Sequence, residues 1–234
     1  MIRALAMLLF WALIIPVGAL ILFPWAFITG DVESIYRFGM WGARSGIRVA
    51  GVRVRLVGRE HLDPQRAYVY MANHVSNLDP PALIPYLPQR ASVMVKKELF
   101  RVPLLGRAMR MVSLVPIDRR NKEAAIASVR AAAEVLRSGI SVVVFPEGTR
   151  SPDGRLLPFK KGPFHMALET GAPIVPVTIV GTRQLMSKGS LAVRPGTATV
   201  IFHPPIETAG KEDRDALIAA VRAQIESGLE HNNN

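Results

Sequence analysis

The chain opens on an unbroken apolar run and then changes its hydrophobic period twice. No residue from Ala4 to Gly30 is charged. As a helix this segment reaches about 40 Å at about 1.5 Å per residue, more than the apolar core of a bilayer at about 30 Å. No small-x-small cleavage site follows it, which argues against a removed signal peptide. Pro16 and Pro24 each delete a helix hydrogen bond and favour a kink or reversal, so a shallow hairpin in one leaflet is expected here. The stretch "DVESIYRFGMWGARSGIRVA" (31–50) then takes a helical period, with Ile35, Phe38, Trp41 and Ile47 on one side and Arg37, Arg44 and Arg48 supplying positive charge. Residues 1–50 therefore form a membrane-binding helical hairpin; the plainer alternative packs both helices on the body as ordinary core.

From Gly51 the pattern becomes short apolar runs alternating with amphipathic stretches. Strands are expected at 52–57, 67–72, 91–95, 112–117, 140–145 and 173–179, with a late pair on either side of Pro195-Gly196. Helices are expected at 80–87, 96–110 with a break at Pro103, 121–138, 162–170 and 211–229. The fold class is α/β: a mixed, largely parallel central sheet flanked by helices, carried by one domain over 51–230. The closing "HNNN" reads as a disordered end.

Charge and composition narrow the partners. The formal charge is +11 in 234 residues, so the chain favours anionic surroundings, whether nucleic acid, an acidic membrane surface or phosphorylated small molecules. Cysteine is absent, which removes disulfides, thiolate nucleophiles and cysteine-based metal sites. Arginines gather after the apolar run while only Arg3 precedes it, and Trp25 and Trp41 suit the headgroup zone. The body is therefore expected on the cytoplasmic side of an inner membrane.

Two stretches carry candidate chemistry. In "YMANHVSNLDPP" (70–81) a buried strand ends at Asn73 and His74, where open α/β sheets place their ligands. Asp79 before Pro80 has the form of a helix start. A neutral imidazole that donates one N–H to a carboxylate is fixed in one tautomer and can activate a hydroxyl. Taken alone, His-x4-Asp reads more readily as a packed histidine and a cap. In "VVVFPEGTRSPDG" (142–154) an apolar strand runs into Glu147, Gly148, Thr149 and Arg150, a turn able to hold an anion through the Arg150 fork and close backbone approach at Gly148. A local Glu–Arg pair would use the same residues. Arg119, Lys96-Lys97 and Lys160-Lys161 also follow strands or open a helix. Several chemistries find no footing: no G-x-S-x-G, no H-E-x-x-H, no Walker A loop and no nucleic-acid signature occurs.

In this order the pieces resemble the glycerolipid acyltransferase family, in particular 1-acyl-sn-glycerol-3-phosphate acyltransferases of the bacterial type. "NHVSNLD", "VPIDRR", "FPEGTRS" and "PIVPVTIVGT" are similar to its four blocks and span residues 73–182; "KKELFRVPLLG" is similar to a further family segment. The resemblance implies His74 as general base and Asp79 as its orienting partner. It implies Arg119, Glu147, Gly148 and Arg150, with Lys96, as residues binding the glycerol phosphate. It further implies acyl transfer from an acyl-carrier-protein or coenzyme A thioester to the 2-hydroxyl of lysophosphatidate at an anionic membrane surface, with no metal, no cofactor and no nucleic acid. Another acceptor, such as glycerol 3-phosphate or a different lysophospholipid, is the alternative within the family. A membrane-tethered module binding an anionic ligand is the non-enzymatic one. Ser113, where the family often has glycine, and Pro116, where an aromatic is common, depart from the second block and bear on the acceptor.

Overall fold

A computed structural model describes residues 2–118, 121–190 and 192–230; Arg119 and the closing 231–234 lie outside the described residues. The apolar run is one helix, α1 (Ile2–Thr29), continuous through Pro16 and Pro24. Its side chains leave no alternative hydrogen-bonding partner for the backbone, and two missing N–H groups do not end it. The reversal expected inside 4–30 therefore falls beyond it, at Gly30, whose φ of 73° suits glycine. The Gly30 N–H still closes on Ala26 O at 2.9 Å, and the Asp31 side chain accepts from Ser34 N at 3.2 Å to start α2 (Glu33–Val49).

The two helices close on small residues. Trp11 Nε1 donates to Gly42 O at 3.0 Å, and a Cβ on Gly46 would stand 2.3 Å from that indole. A Cβ on Gly18 would stand 2.1 Å from the Phe38 ring. Between the hairpin and a later helix lies an apolar cavity of about 260 Å³ reached by Trp11, Phe23, Phe38 and Leu104. Outward, α1 is bare: Leu20, Phe27 and Ile28 are about four-fifths exposed. It is the one helix among the described residues long and apolar enough to cross a membrane.

The body follows as β1 (Val52–Val57), β2 (Val69–Ala72), α3 (Asp79–Leu83), β3 (Ala91–Lys96), α4 (Leu105–Met111), β4 (Val115–Ile117), α5 (Lys122–Arg137), β5 (Ser141–Val144), α6 (Gly162–Thr170), β6 (Ile174–Val180), α7 (Thr182–Leu185), β7 (Gly196–Phe202) and α8 (Arg214–Glu230). The sheet order is β1-β7-β6-β2-β5-β3-β4. Every pairing is parallel except β6 with β7. Central strands β2 and β5 are buried throughout, which is why they read as continuous apolar runs. Tyr70, Val143, Val177 and Phe202 pack on one face with Leu83 of α3. Val69, Met71, Val142 and Ile174 pack on the other with Phe164 of α6 and Val221 of α8.

Two expectations change. The late pair around Pro195-Gly196 is a single strand, β7; residues 192–195 do not pair in the sheet, because β7 already has β1 on one side and β6 on the other. The strand expected at 112–117 begins only at Val115, because α4 ends in a helix cap that uses the residues before it. Ser113 N donates to Arg110 O at 3.1 Å and Leu114 N to Met109 O at 2.9 Å. Ser113 itself takes φ 65°. That is the left-handed terminal position where glycine is the usual residue, and it gives the departure from the family's glycine a concrete backbone meaning.

Candidate active site

Three parallel strands end side by side, and each delivers part of one cluster. β2 runs out into Asn73 and His74. Asn73 then acts as a surrogate strand residue, its side-chain amide donating to Ile179 O at 2.9 Å and accepting from Ile179 N at 2.7 Å. The His74 backbone is held from the other side, its N–H donating to Glu147 Oε1 at 2.7 Å and its carbonyl accepting from Ser151 N at 2.8 Å. The imidazole stacks on Phe145, ring centres 4.2 Å apart. Backbone and ring are thus both fixed before any substrate arrives.

Asp79 is the first residue of α3 and not its expected cap: Leu78 holds the N-cap position, no side chain caps the helix, and the carboxylate turns back to the loop before it. One carboxylate oxygen, Oδ2, meets His74 Nδ1 at 2.7 Å and accepts from Val75 N at 2.7 Å and Ser76 N at 2.8 Å. The other, Oδ1, accepts from Thr182 Oγ1 at 2.6 Å. Asp79 is fully buried. Every neighbour is a donor, so Nδ1 carries the ring proton and Nε2 presents its lone pair. Nε2 makes no hydrogen bond among the described residues, and His74 keeps a small exposure of 8%. The ring is thus held from its Nδ1 side, with Nε2 left without a protein partner among the described residues.

Glu147, Gly148 and Arg150 lie in the turn after β5. Glu147 is 2% exposed, and its second oxygen accepts from Leu157 N at 3.0 Å. Burial pushes its carboxyl pKa up, against the two backbone N–H groups that pull it down. Gly148 has φ 72°, a left-handed turn conformation that favours glycine. Arg150 is half-buried, and its backbone carbonyl accepts from Lys188 Nζ at 2.7 Å; among the described residues its guanidinium has no partner. Lys96 stands at the end of β3, largely exposed and 3.8 Å from the Glu98 carboxylate, with no hydrogen bond to His74 or Arg150. Arg119 is outside the described residues. The structure thus brings together His74, Asp79, Glu147, Gly148 and Arg150.

Thr182 was not singled out by sequence reasoning. The only signal for it is a hydroxyl two residues beyond a buried strand parallel to β2, visible once the strand order is known.

The comparisons agree with this geometry. A family model described as Acyltransferase matches residues 53–180. The chain is 37% identical over 199 residues to a 1-acyl-sn-glycerol-3-phosphate acyltransferase of Limnanthes douglasii, covering 85% of this chain and 68% of that protein. It is 35% identical over 176 residues to 1-acyl-sn-glycerol-3-phosphate acyltransferase alpha of Mus musculus, covering 74% and 62%. Among solved structures, the 1-acyl-sn-glycerophosphate (LPA) acyltransferase PlsC of Thermotoga maritima superposes with a TM-score of 0.85 at 29% identity, over 99% of this chain and 95% of that one. With the His-Asp pair, the buried glutamate turn and the strands β2 and β5 that lead into them inside the matched region, this chain belongs to the Acyltransferase family.

Proposed function

We propose that the protein transfers a fatty acyl group from an acyl-carrier-protein or coenzyme A thioester to the 2-hydroxyl of 1-acyl-sn-glycerol 3-phosphate, giving phosphatidate. The observation that carries this reading is the four-donor carboxylate of Asp79 behind His74. His74 Nε2 takes the proton of the 2-hydroxyl as its oxygen attacks the thioester carbonyl. The tetrahedral intermediate then collapses, the carbon–sulfur bond breaks, and the departing thiolate takes the proton back from Nε2. While the ring is doubly protonated, Asp79 offsets its positive charge. No covalent acyl-enzyme is required.

Arg150, with its unpartnered guanidinium, and Arg119 hold the acceptor phosphate, with Lys96 as a further cation. Gly148 gives the phosphate close access to the turn. Glu147, whose carboxylate is turned inward to two backbone N–H groups, acts by positioning His74. The bare face of α1 and the basic surface supply the two signals that stable membrane attachment needs, with the body on the cytoplasmic side of the inner membrane.

The test is acyl transfer by detergent-purified protein to lysophosphatidate and to glycerol 3-phosphate, beside His74→Ala. Loss of about 10²–10⁴-fold in the variant is expected for a general base. Equal transfer by a folded His74→Ala protein would overturn the assignment, and use of glycerol 3-phosphate alone would overturn the acceptor.

A further inference from the structure

The segment after β6 builds a second polar hollow that the chemistry above leaves unused. From 170 to 206 the chain contains no Asp or Glu. Arg183, Gln184, Ser187, Ser190 and Arg194 face a pocket of about 250 Å³. No carboxylate lines it. The Arg194 side chain has no hydrogen bond or ion pair among the described residues. Arg183 donates one N–H to Pro152 O at 3.3 Å, which leaves most of its fork free. Lys188, in the same segment, reaches the Arg150 carbonyl. Two arginines lining one hollow with hydroxyls and an amide, and no acid in that lining, form a receptor for a phosphate ester.

Its position relative to the base identifies which phosphate. Along the cluster the order is His74, Asp79, Thr182 and then Arg183: Asp79 turns Oδ2 to the ring and Oδ1 to Thr182. Neither His74, Asp79 nor Arg150 lines the pocket, so it is set back from the base although its segment reaches the turn after β5 through Arg183 and Lys188. The lysophosphatidate phosphate is joined to the reacting carbon through a single methylene and its ester oxygen, and so must sit close to the ring, which the pocket lining does not include. A thioester donor carries its phosphate at the far end of the pantetheine arm, a reach that suits a site set back from the base. The pocket is also anchored to the site: Ser76 Oγ donates to Met186 O at 2.6 Å and Arg194 N to Leu185 O at 2.8 Å.

We propose that the Arg183–Arg194 pocket binds the phosphate at the head of the donor's pantetheine arm, the group shared by acyl-carrier protein and coenzyme A. This rests on the thioester-dependent reading above. The experiment is titration calorimetry of the detergent-solubilised full chain with 4′-phosphopantetheine and with pantetheine, for wild type and for the double variant Arg183→Gln/Arg194→Gln, with melting curves to check the fold. Wild type is expected to prefer the phosphorylated arm by about tenfold, the scale of a charge-assisted contact, and the variant to lose that preference. Steady-state transfer is the second readout: the donor KM rises by a similar factor while the lysophosphatidate KM holds. Equal binding of the two arms by wild type, a preference that survives in the folded variant, or a rise confined to the lysophosphatidate KM would each overturn the proposal, the last assigning the pocket to a lipid headgroup. Because the titration needs no turnover, a failure of the acyl-transfer reading itself shows separately, as a wild type that transfers nothing.

Discussion

Replacing Asp79 by asparagine removes one charge and little else. The structure fixes how the amide must sit. Val75 N, Ser76 N and the His74 Nδ1–H all point at the Oδ2 position, so an NH₂ group there would face three donors. The amide oxygen therefore occupies that position and the NH₂ turns to Thr182, whose hydroxyl rotates to accept. The tautomer of His74 is kept, and only the field on the imidazolium is lost. For charge centres about 4 Å apart at an effective dielectric of about 20, that field contributes about 4 kcal/mol. Complete proton transfer at the transition state would then lower kcat by about 10³, and half transfer by about 30-fold. The assay is release of the carrier thiol from an acyl-CoA at saturating lysophosphatidate, with thermal melts in the same detergent. Asp79→Asn should melt close to wild type. Asp79→Ala leaves buried donors unmet and should lose more than about 3 kcal/mol of stability. A folded Asp79→Asn with kcat within about threefold of wild type would refute the electrostatic account, since even half transfer predicts about ten times that loss. A melt as low as that of Asp79→Ala would refute the orientation argued for the amide.

Other perturbations follow from the same physics. Ser113→Gly relieves a left-handed residue at the end of α4 and should raise stability by about 0.5–1 kcal/mol in denaturant titration; an unchanged or lower midpoint would contradict it. Gly46→Ala forces a methyl onto the Trp11 indole and should cost about 1–3 kcal/mol, visible as a lower melting temperature. His203 accepts or donates at 2.8 Å to Thr178 Oγ1, and burial holds its pKa below the ordinary 6.5. Its contribution is complete above 6.5 and is lost as pH falls toward the depressed value. The stability difference between wild type and His203→Gln should therefore shrink on acidification below pH 6.5, and a difference that grows would reverse the sign argued here. Leu13→Asp with Leu20→Asp, both on the bare side of α1, should reduce recovery with floated anionic vesicles by about tenfold or more.

How much was readable in advance depended on what each residue answers to. The buried strands β2, β5 and β6 were visible because full burial on both faces leaves a short apolar run bounded by turn residues, β-branched in β5 and β6 and too short for a helix like α1. His74 and Asp79 were visible because their spacing is local, a strand end and a helix start joined by four residues. Thr182 was not, since its meaning comes from the adjacency of β6 and β2, which only the strand order supplies. Glu147 entered as an acceptor-binding residue only through the family resemblance; that its oxygens accept from His74 N and Leu157 N depends on β2 and β5 lying side by side, which the local sequence does not state. Pro16 and Pro24 suggested a reversal that the continuous apolar helix overrides. Pro195-Gly196 suggested a hairpin, but sheet pairing had a place for only one strand there.

The hydroxyl that completes the Asp79 shell lies 103 positions along the chain from the carboxylate it serves, and the carboxylate holding the His74 backbone lies 73 positions away. The His74–Asp79 pair is therefore local in sequence but cannot be finished locally. During synthesis the His-Asp segment leaves the ribosome long before β5 and β6 exist to receive it, so a nascent chain carries the motif without the means to use it. Activity becomes a late reporter of folding, appearing only once long-range parallel pairing, an intrinsically slow step, has closed. Any partly folded species in which β6 has separated from β2 is silenced before it can turn over substrate.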